Sequence, residues 1–173
     1  MCIHFITSFL EIEMGNRYKM SYGTEVLSGT EFNEQYNDRR FYKFTFSNEK
    51  HGKMMYVTGL NIDCNELNTK DFHAAGLFFT DEANALDHMY SHEFVRTVII
   101  PDNAMVVISL SSDHTIYKTN KFILGPHQLI KDADFWDTYR NDISLLYDRS
   151  RSLYHFDGFP NDILTKKVCE EFL

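Results

Sequence analysis

Three cysteines, three prolines and eight glycines are spread through 173 residues, and the sparse cysteine and glycine each remove a class of protein. Cys2, Cys64 and Cys169 are odd in number, far apart and never arranged as Cys-x-x-Cys, which argues against a zinc knuckle and a disulfide framework. A reducing compartment is the expectation. The scattered glycines form no Gly-x-Gly and no Walker sequence, so a backbone cradle for phosphate is not written here, and kinase, ATPase and dinucleotide-fold readings fall away. Gly-x-Ser-x-Gly is missing too, and Cys64, between Asp63 and Asn65, has no readable histidine partner for nucleophilic catalysis. No apolar run approaches the roughly 20 residues that a membrane helix needs. Met1 to Leu10 is apolar but has no basic start, and Glu11 and Glu13 stand where a small-residue cleavage site would belong, so no secretion signal is expected. Basic residues are also in deficit, 17 against 25 acidic, and the formal charge of -8 opposes capture of phosphate backbones or anionic lipid. Nucleic acid and membrane are therefore not expected as partners.

What is present is apolar and aromatic: 43% of the residues are hydrophobic and 15% aromatic, enough to bury a substantial core in one compact domain. Phe41 to Phe46, Met54 to Val57, Val95 to Ile100, Ala104 to Leu110 and Lys121 to Leu124 are rich in strand formers. Between them, Asp81 to Tyr90 places Ala85, Leu86 and Met89 on one helical face, with Thr80 as the expected N-cap. Helices do not alternate regularly with strands, so the expected class is α+β: a strand-rich domain with one inserted helix, followed by a short helical C-terminal segment. The division expected is an N-terminal extension over 1–38, a domain over 39–131 and a helical segment over 132–173 packed on it. Ala133 to Tyr147 carries Phe135, Trp136, Tyr139, Ile143, Leu146 and Tyr147 at mostly helical spacing. Leu60, Ile62, Leu77, Phe79, Val98, Ile100, Val106, Ile108, Ile123 and Leu124 are the expected core, in one cluster. Gly59 and Gly76 are read as structural glycines, serving the turn before Leu60 and the start of the strand at Leu77. The aromatics outside the middle block, among them Tyr18, Tyr22, Phe32, Tyr36, Phe41 and Tyr42, suit a contact surface and terminal segments packed onto the domain equally well.

From Lys50 to Gly125 a series of words follows in order: His51-Gly52, Thr58-Gly59-Leu60-Asn61-Ile62-Asp63, Ala75-Gly76-Leu77-Phe78-Phe79-Thr80, Val98-Ile99-Ile100-Pro101-Asp102 and Lys118-Thr119-Asn120-Lys121-Phe122-Ile123-Leu124-Gly125. Together they resemble a protein family of giant DNA viruses of the Mimivirus type, whose pattern is similar to "HNG…Y…GLN.D", "GGLYFT", "V.IPDDA.V" and "K.DKIILG". The resemblance spans about the middle half of the chain. Leu153 to Glu171, with Thr165 as a cap, looks like a helical repeat found in several giant-virus proteins; a single copy suits a short tail better than an array. In the resembling family the domain is often joined to repeat modules. That implies a non-enzymatic protein-interaction module, an adaptor or host-interaction protein whose partner is a viral or host protein, located in host cytoplasm or virion interior. A virion structural component is an alternative.

A second alternative is enzymatic. His51-Gly52 followed by Gly76-Leu77-Phe78-Phe79 looks like the His-Gly and Gly-Ile-Tyr-Phe elements of ADP-ribosyltransferases, which implies NAD bound around His51, Gly52 and Phe78, with Phe78 where the stacking tyrosine would be. The catalytic glutamate of that family has no counterpart, because no glutamate lies between Glu93 and Glu170, and Asp132 is a poor substitute. Catalytic residues are thus assigned to none, and no cofactor is expected, NAD entering only under this alternative. His88 and His92, four apart, are a metal-pair spacing to which Asp87, Glu93 or His73 would have to add ligands; Met89 replaces the glutamate of His-Glu-x-x-His, and no metal is expected.

Overall fold

The computed structural model describes residues 23–51, 54–69, 75–89, 92–110, 115–133 and 136–137. In chain order the elements are β1 (Gly23–Ser28), α1 (Gly29–Gln35), β2 (Phe41–Thr45), β3 (Lys50–His51), β4 (Met54–Met55), β5 (Gly59–Ile62) and β6 (Leu77–Asp81). A 3₁₀ helix (Glu82–His88) follows, then β7 (Phe94–Ile99), β8 (Met105–Leu110), β9 (Thr115–Thr119), β10 (Lys121–Leu124), β11 (Gln128–Leu129) and a 3₁₀ turn (Ile130–Asp132).

Nine strands form one antiparallel sheet in the order β1-β8-β9-β6-β2-β7-β10-β5, with β11 also on β7; β3 and β4 make a separate ribbon. The protein is thus a mostly β, strand-rich domain with one short α-helix among the described residues. The hinge of the sheet is β6, whose first residues, Leu77 to Phe79, pair with β9 while Thr80 and Asp81 pair with β2. Side chains alternate across each strand. Leu77 and Phe79 therefore share a face with Phe41, Val98, Tyr117, Val106 and Ile108, and the sheet curls around the core these make with Phe122, Leu124 and Phe32 of α1. The Phe79 ring stacks 5.3 Å from Tyr117, its partner on the neighbouring strand, and lies 6.4 Å from Phe122 of β10, three strands away in the sheet order, so the curled sheet meets itself across that core.

A second cluster covers the opposite face, where Tyr42, Phe44 and Val95 pack under Ala85 and Leu86 of the 3₁₀ helix, Met89 at its C-cap, and Ile130, Ala133 and Trp136. Trp136 donates from Nε1 to the carbonyl of Ile130 at 2.6 Å. The rest of the expected C-terminal helix and repeat lies outside the described residues.

Several expectations are corrected. Leu77, Phe79, Val98, Ile100, Val106, Ile108 and Leu124 do share one cluster as expected, and a second cluster lies on the other face of the central strands. Leu60, Ile62 and Ile123 are exposed, because β5 and β10 turn Asn61, Phe122 and Leu124 inward and these three outward. The segment after Thr80 is 3₁₀, not α, and its cap is Asp81, whose carboxylate accepts from the Asn84 backbone N–H at 3.0 Å. Within the expected extension, β1 pairs along its whole length with β8, and α1 inserts Phe32 into the core. Phe32, Phe41 and Tyr42 are core and give no contact surface, while Tyr18 and Tyr22 lie outside the described residues.

Candidate functional site

The central strand β2 is buried along its length, so any charge it carries must be handled inside the protein. It carries one. Lys43 shares a face with Phe41 and Thr45, is only 8% exposed, and holds its ammonium 5.0 Å from the centre of the Tyr56 ring. Among the described residues no carboxylate or carbonyl accepts a hydrogen bond from this ammonium. Burial alone holds its pKa down to about 8. At neutral pH the amine is still mostly a cation.

Directly opposite Lys43 on β7 stands a second buried cation, Arg96. Its case differs, for its guanidinium is fully engaged. Nε and Nη2 donate to the two carboxylate oxygens of Glu49 at 3.3 and 2.8 Å, and Nη1 donates to Thr58 Oγ1 at 3.0 Å and to the Gly125 carbonyl at 2.8 Å. Burial would raise the Glu49 pKa, but the hydrogen bonds of Arg96, then the Thr45 hydroxyl and the charges of Arg96 and His127, outweigh it and hold the carboxyl below its usual range. Glu49 takes a φ of 55°, the left-handed region that a non-glycine residue rarely adopts, in the turn from β2 to β3. The ring of His127 lies with Nδ1 3.2 Å from Glu49 and stacks on Phe94 at 4.5 Å.

Thr45 completes this face of β2, and its buried hydroxyl lies on the Glu49 side, where it helps hold that carboxyl down although no short hydrogen bond is formed. His51, exposed on β3, and His92 both have pKa values lowered, first by burial and then also by the Lys43 charge. The region thus holds two cations, the Glu49 carboxylate, two imidazoles biased to neutrality and, on the far side of Tyr56, the charge of Asp63.

The residues singled out from the sequence fall differently. His51 borders the Lys43 region, Gly52 lies outside the described residues, and Phe78 is on the opposite face of the sheet, 6.0 Å from the Lys118 ammonium. His92 Nδ1 is engaged with the His88 carbonyl at 2.7 Å, and His73 is outside the described residues. Among the described residues no group of three His, Cys, Asp or Glu is placed to hold a metal ion. Gly59 and Gly76 have φ of +97° and +143°, and the Gly76 N–H donates to Asp63 at 2.8 Å. Asp132 is exposed in the turn after β11 and Cys64 is exposed.

A second buried carboxylate, Asp81, is fully satisfied. Besides capping the 3₁₀ helix it accepts from the Tyr117 hydroxyl at 2.9 Å and from Arg39 at 3.1 Å, and burial followed by the Asp81 charge pushes the Tyr117 hydroxyl pKa up. It is a structural joint between β6 and β9.

Sequence reasoning passed over Lys43, Arg96, Glu49 and Tyr56. A signal was there: Phe-Tyr-Lys-Phe-Thr-Phe places a lysine at the middle of an aromatic strand, and Val-Arg-Thr-Val does the same with arginine.

On the outer face the register sets Leu60 of β5 opposite Ile123 of β10, and Ile123 opposite Ile99 of β7. All three are exposed, as is Ile62 two residues along the sheet's edge strand. Compared with family models, curated proteins and solved structures, the chain matches none.

Proposed function

We propose that the chain is a non-catalytic protein-interaction module, of the giant-virus kind its sequence resembles, that binds an extended segment of another protein along β5. The observation that carries this reading is the exposed ladder Leu60–Ile123–Ile99 with Ile62, which ends at β5, a strand that among the described residues has a neighbour on one side only. A monomer rarely spends aliphatic side chains on such a row, and a sheet edge offers unpaired backbone donors and acceptors to an incoming strand. Main-chain pairing supplies affinity there, and apolar residues at every second position of the partner meet Leu60 and Ile62. The chain's charge of -8 favours a segment flanked by lysine or arginine.

The test is affinity capture from host-cell extract by the wild type and by a Leu60→Asp/Ile123→Asp variant, followed by hydrogen exchange on the recovered complex. The expected result is a discrete partner lost by the variant, whose melting temperature is unchanged, with the β5 amides protected in the complex. Equal capture by the variant defeats the reading, as does a partner that leaves β5 unprotected. Self-association abolished by the same substitutions would make the occupant a second copy. Transfer of label from NAD to extract proteins would return the enzymatic alternative.

A further inference from the structure

We propose, building on the docking role of β5, that residues 138–151 fold back over the outer face of the sheet and cover Ile99, Ile123 and Leu60 in the free protein, so that a partner strand reaches β5 only when this segment leaves. The outer face is one surface, half covered and half open. Alternation along β7 puts Val95, Thr97 and Ile99 on it, and the register sets Phe44 beside Val95, Tyr42 beside Thr97, and Ile123 and then Leu60 beside Ile99. Phe44, Tyr42 and Val95 are buried under the 3₁₀ helix and Trp136, whereas the described residues leave Ile99, Ile123, Leu60 and Ile62 exposed. The open row therefore continues the covered one, with Thr97 between them.

The sequence that follows the covered half suits the open half. The backbone is already helical at Trp136 and Asp137, where the Trp136 N–H donates to the Ala133 carbonyl at 3.2 Å and the indole is fully buried. Beyond them Tyr139, Ile143, Leu146 and Tyr147 recur at i, i+4, i+7 and i+8, the spacing of one apolar helical stripe. From Val95 the open row lies about 13 Å along β7 and then runs about 10 Å across two strand spacings to Leu60. Residues 138–151 in helical form would reach about 21 Å. Charge selects the same occupant. Arg140, Arg149 and Arg151 outnumber Asp142 and Asp148, so this segment is net positive in a chain of -8, and its arginines flank the apolar stretch. A second copy would bring another -8 to the contact, which repels it. Because the segment is tethered, its effective concentration is in the mM range, and a contact weak enough to open without unfolding the sheet still keeps the row covered.

Methyl NMR of the full chain tests the cover with no partner present. Nuclear Overhauser contacts are expected from the Ile99 and Ile123 methyls to Ile143, Leu146 or the rings of Tyr139 and Tyr147. Ile143→Asp/Leu146→Asp should abolish them and shift the Ile99, Ile123 and Leu60 methyls while leaving those of Val106 and Ile108 in place. The same variant should raise the fluorescence of added anilinonaphthalene sulfonate at least about two-fold, as newly bared apolar surface does, and Leu60→Asp/Ile123→Asp made on top of it should cancel the rise. A wild type without these contacts overturns the proposal, whether or not the variant folds. So does a variant whose face methyls and dye binding match the wild type, and a rise that survives Leu60→Asp/Ile123→Asp puts the segment elsewhere and overturns it equally. In host-cell extract the segment variant is expected to recover several-fold more of the β5 partner than the wild type does, and equal recovery removes the regulation. Contacts present in a protein that captures no partner, with or without the substitutions, would sink the docking role of β5 and leave the fold-back standing.

Discussion

Buried residues of opposite character show what a side chain costs or contributes on the same sheet. Phe79, 4% exposed, meets Phe32, Phe41, Tyr117 and Phe122 at ring-centroid distances of 5.3 to 6.4 Å. Replacing it with alanine is expected to lower stability by about 3–5 kcal/mol in urea unfolding, and a loss under about 1 kcal/mol would contradict this packing. Lys43 acts in the other direction. Its folded pKa of about 8 lies below the ordinary value of about 10.4, so between those pH values the unfolded chain binds the proton more tightly and stability rises with pH. Below about pH 8 the whole penalty stands, about 3 kcal/mol at roughly 1.4 kcal/mol per pKa unit. The stability advantage of Lys43→Met over the wild type should therefore shrink from pH 7 to about 9.5; a constant difference means that Lys43 is not desolvated. Measurements stop there because Tyr56, its pKa pushed up to about 12, loses its own contribution as the unfolded tyrosine ionises near pH 10. Phe79 was legible in the sequence because an aromatic in a run of strand formers points inward by default. Lys43 was not, since nothing in one sequence says that both faces of its strand will be covered.

At the scale of elements, what could be read followed length and period. Strands β2, β7, β8 and β10 announce themselves through β-branched and aromatic runs, and their observed bounds fall within a residue or so of those expected. Parity was the harder matter. Leu60, Ile62 and Ile123 look like core by composition, but Asn61 takes the inward place, where its side chain ties Val57 and Gly59 by three hydrogen bonds of 2.8 to 3.0 Å. A polar residue serving a turn reverses the faces, and with them the meaning of the aliphatic row: by composition alone the ladder offered as a docking surface reads as core. Helix α1 is the opposite case, too short at seven residues for an apolar period yet marked by Ser28-Gly29-Thr30-Glu31. Ser28 Oγ accepts from the Glu31 N–H at 3.2 Å, and the Glu31 carboxylate accepts from the Ser28 N–H at 2.9 Å, which also lowers its pKa. Ser28→Ala should cost about 1 kcal/mol by denaturant midpoint, with the slope unchanged. An unaffected midpoint would mean that Phe32 alone fixes the helix.

For the whole molecule the question is which residues are needed to close the core, and the sheet order answers it. The words that carry the giant-virus resemblance start at His51, and from sequence alone the domain is expected to start at residue 39. In the fold, β1 forms the far end of the sheet, registered against β8 from Gly23↔Leu110 to Ser28↔Met105, and the Gly29 N–H donates to the Ala104 carbonyl at 2.8 Å. Phe32 then sits 1% exposed between Phe41, Phe79 and Tyr117. These contacts join residues some 70 positions apart, which is why no local pattern disclosed them. A chain beginning at Arg39 would lose the Phe32 side chain, itself worth about 3–5 kcal/mol, and leave Val106 and Ile108 without their cover from β1 and α1. Domains of this size hold only about 5–15 kcal/mol in total. The shortened chain is therefore expected to give collapsed amide dispersion in its NMR spectrum and no cooperative melt. A cooperative transition within a few degrees of the full chain's would show instead that the leading strand and helix lie on the core without completing it.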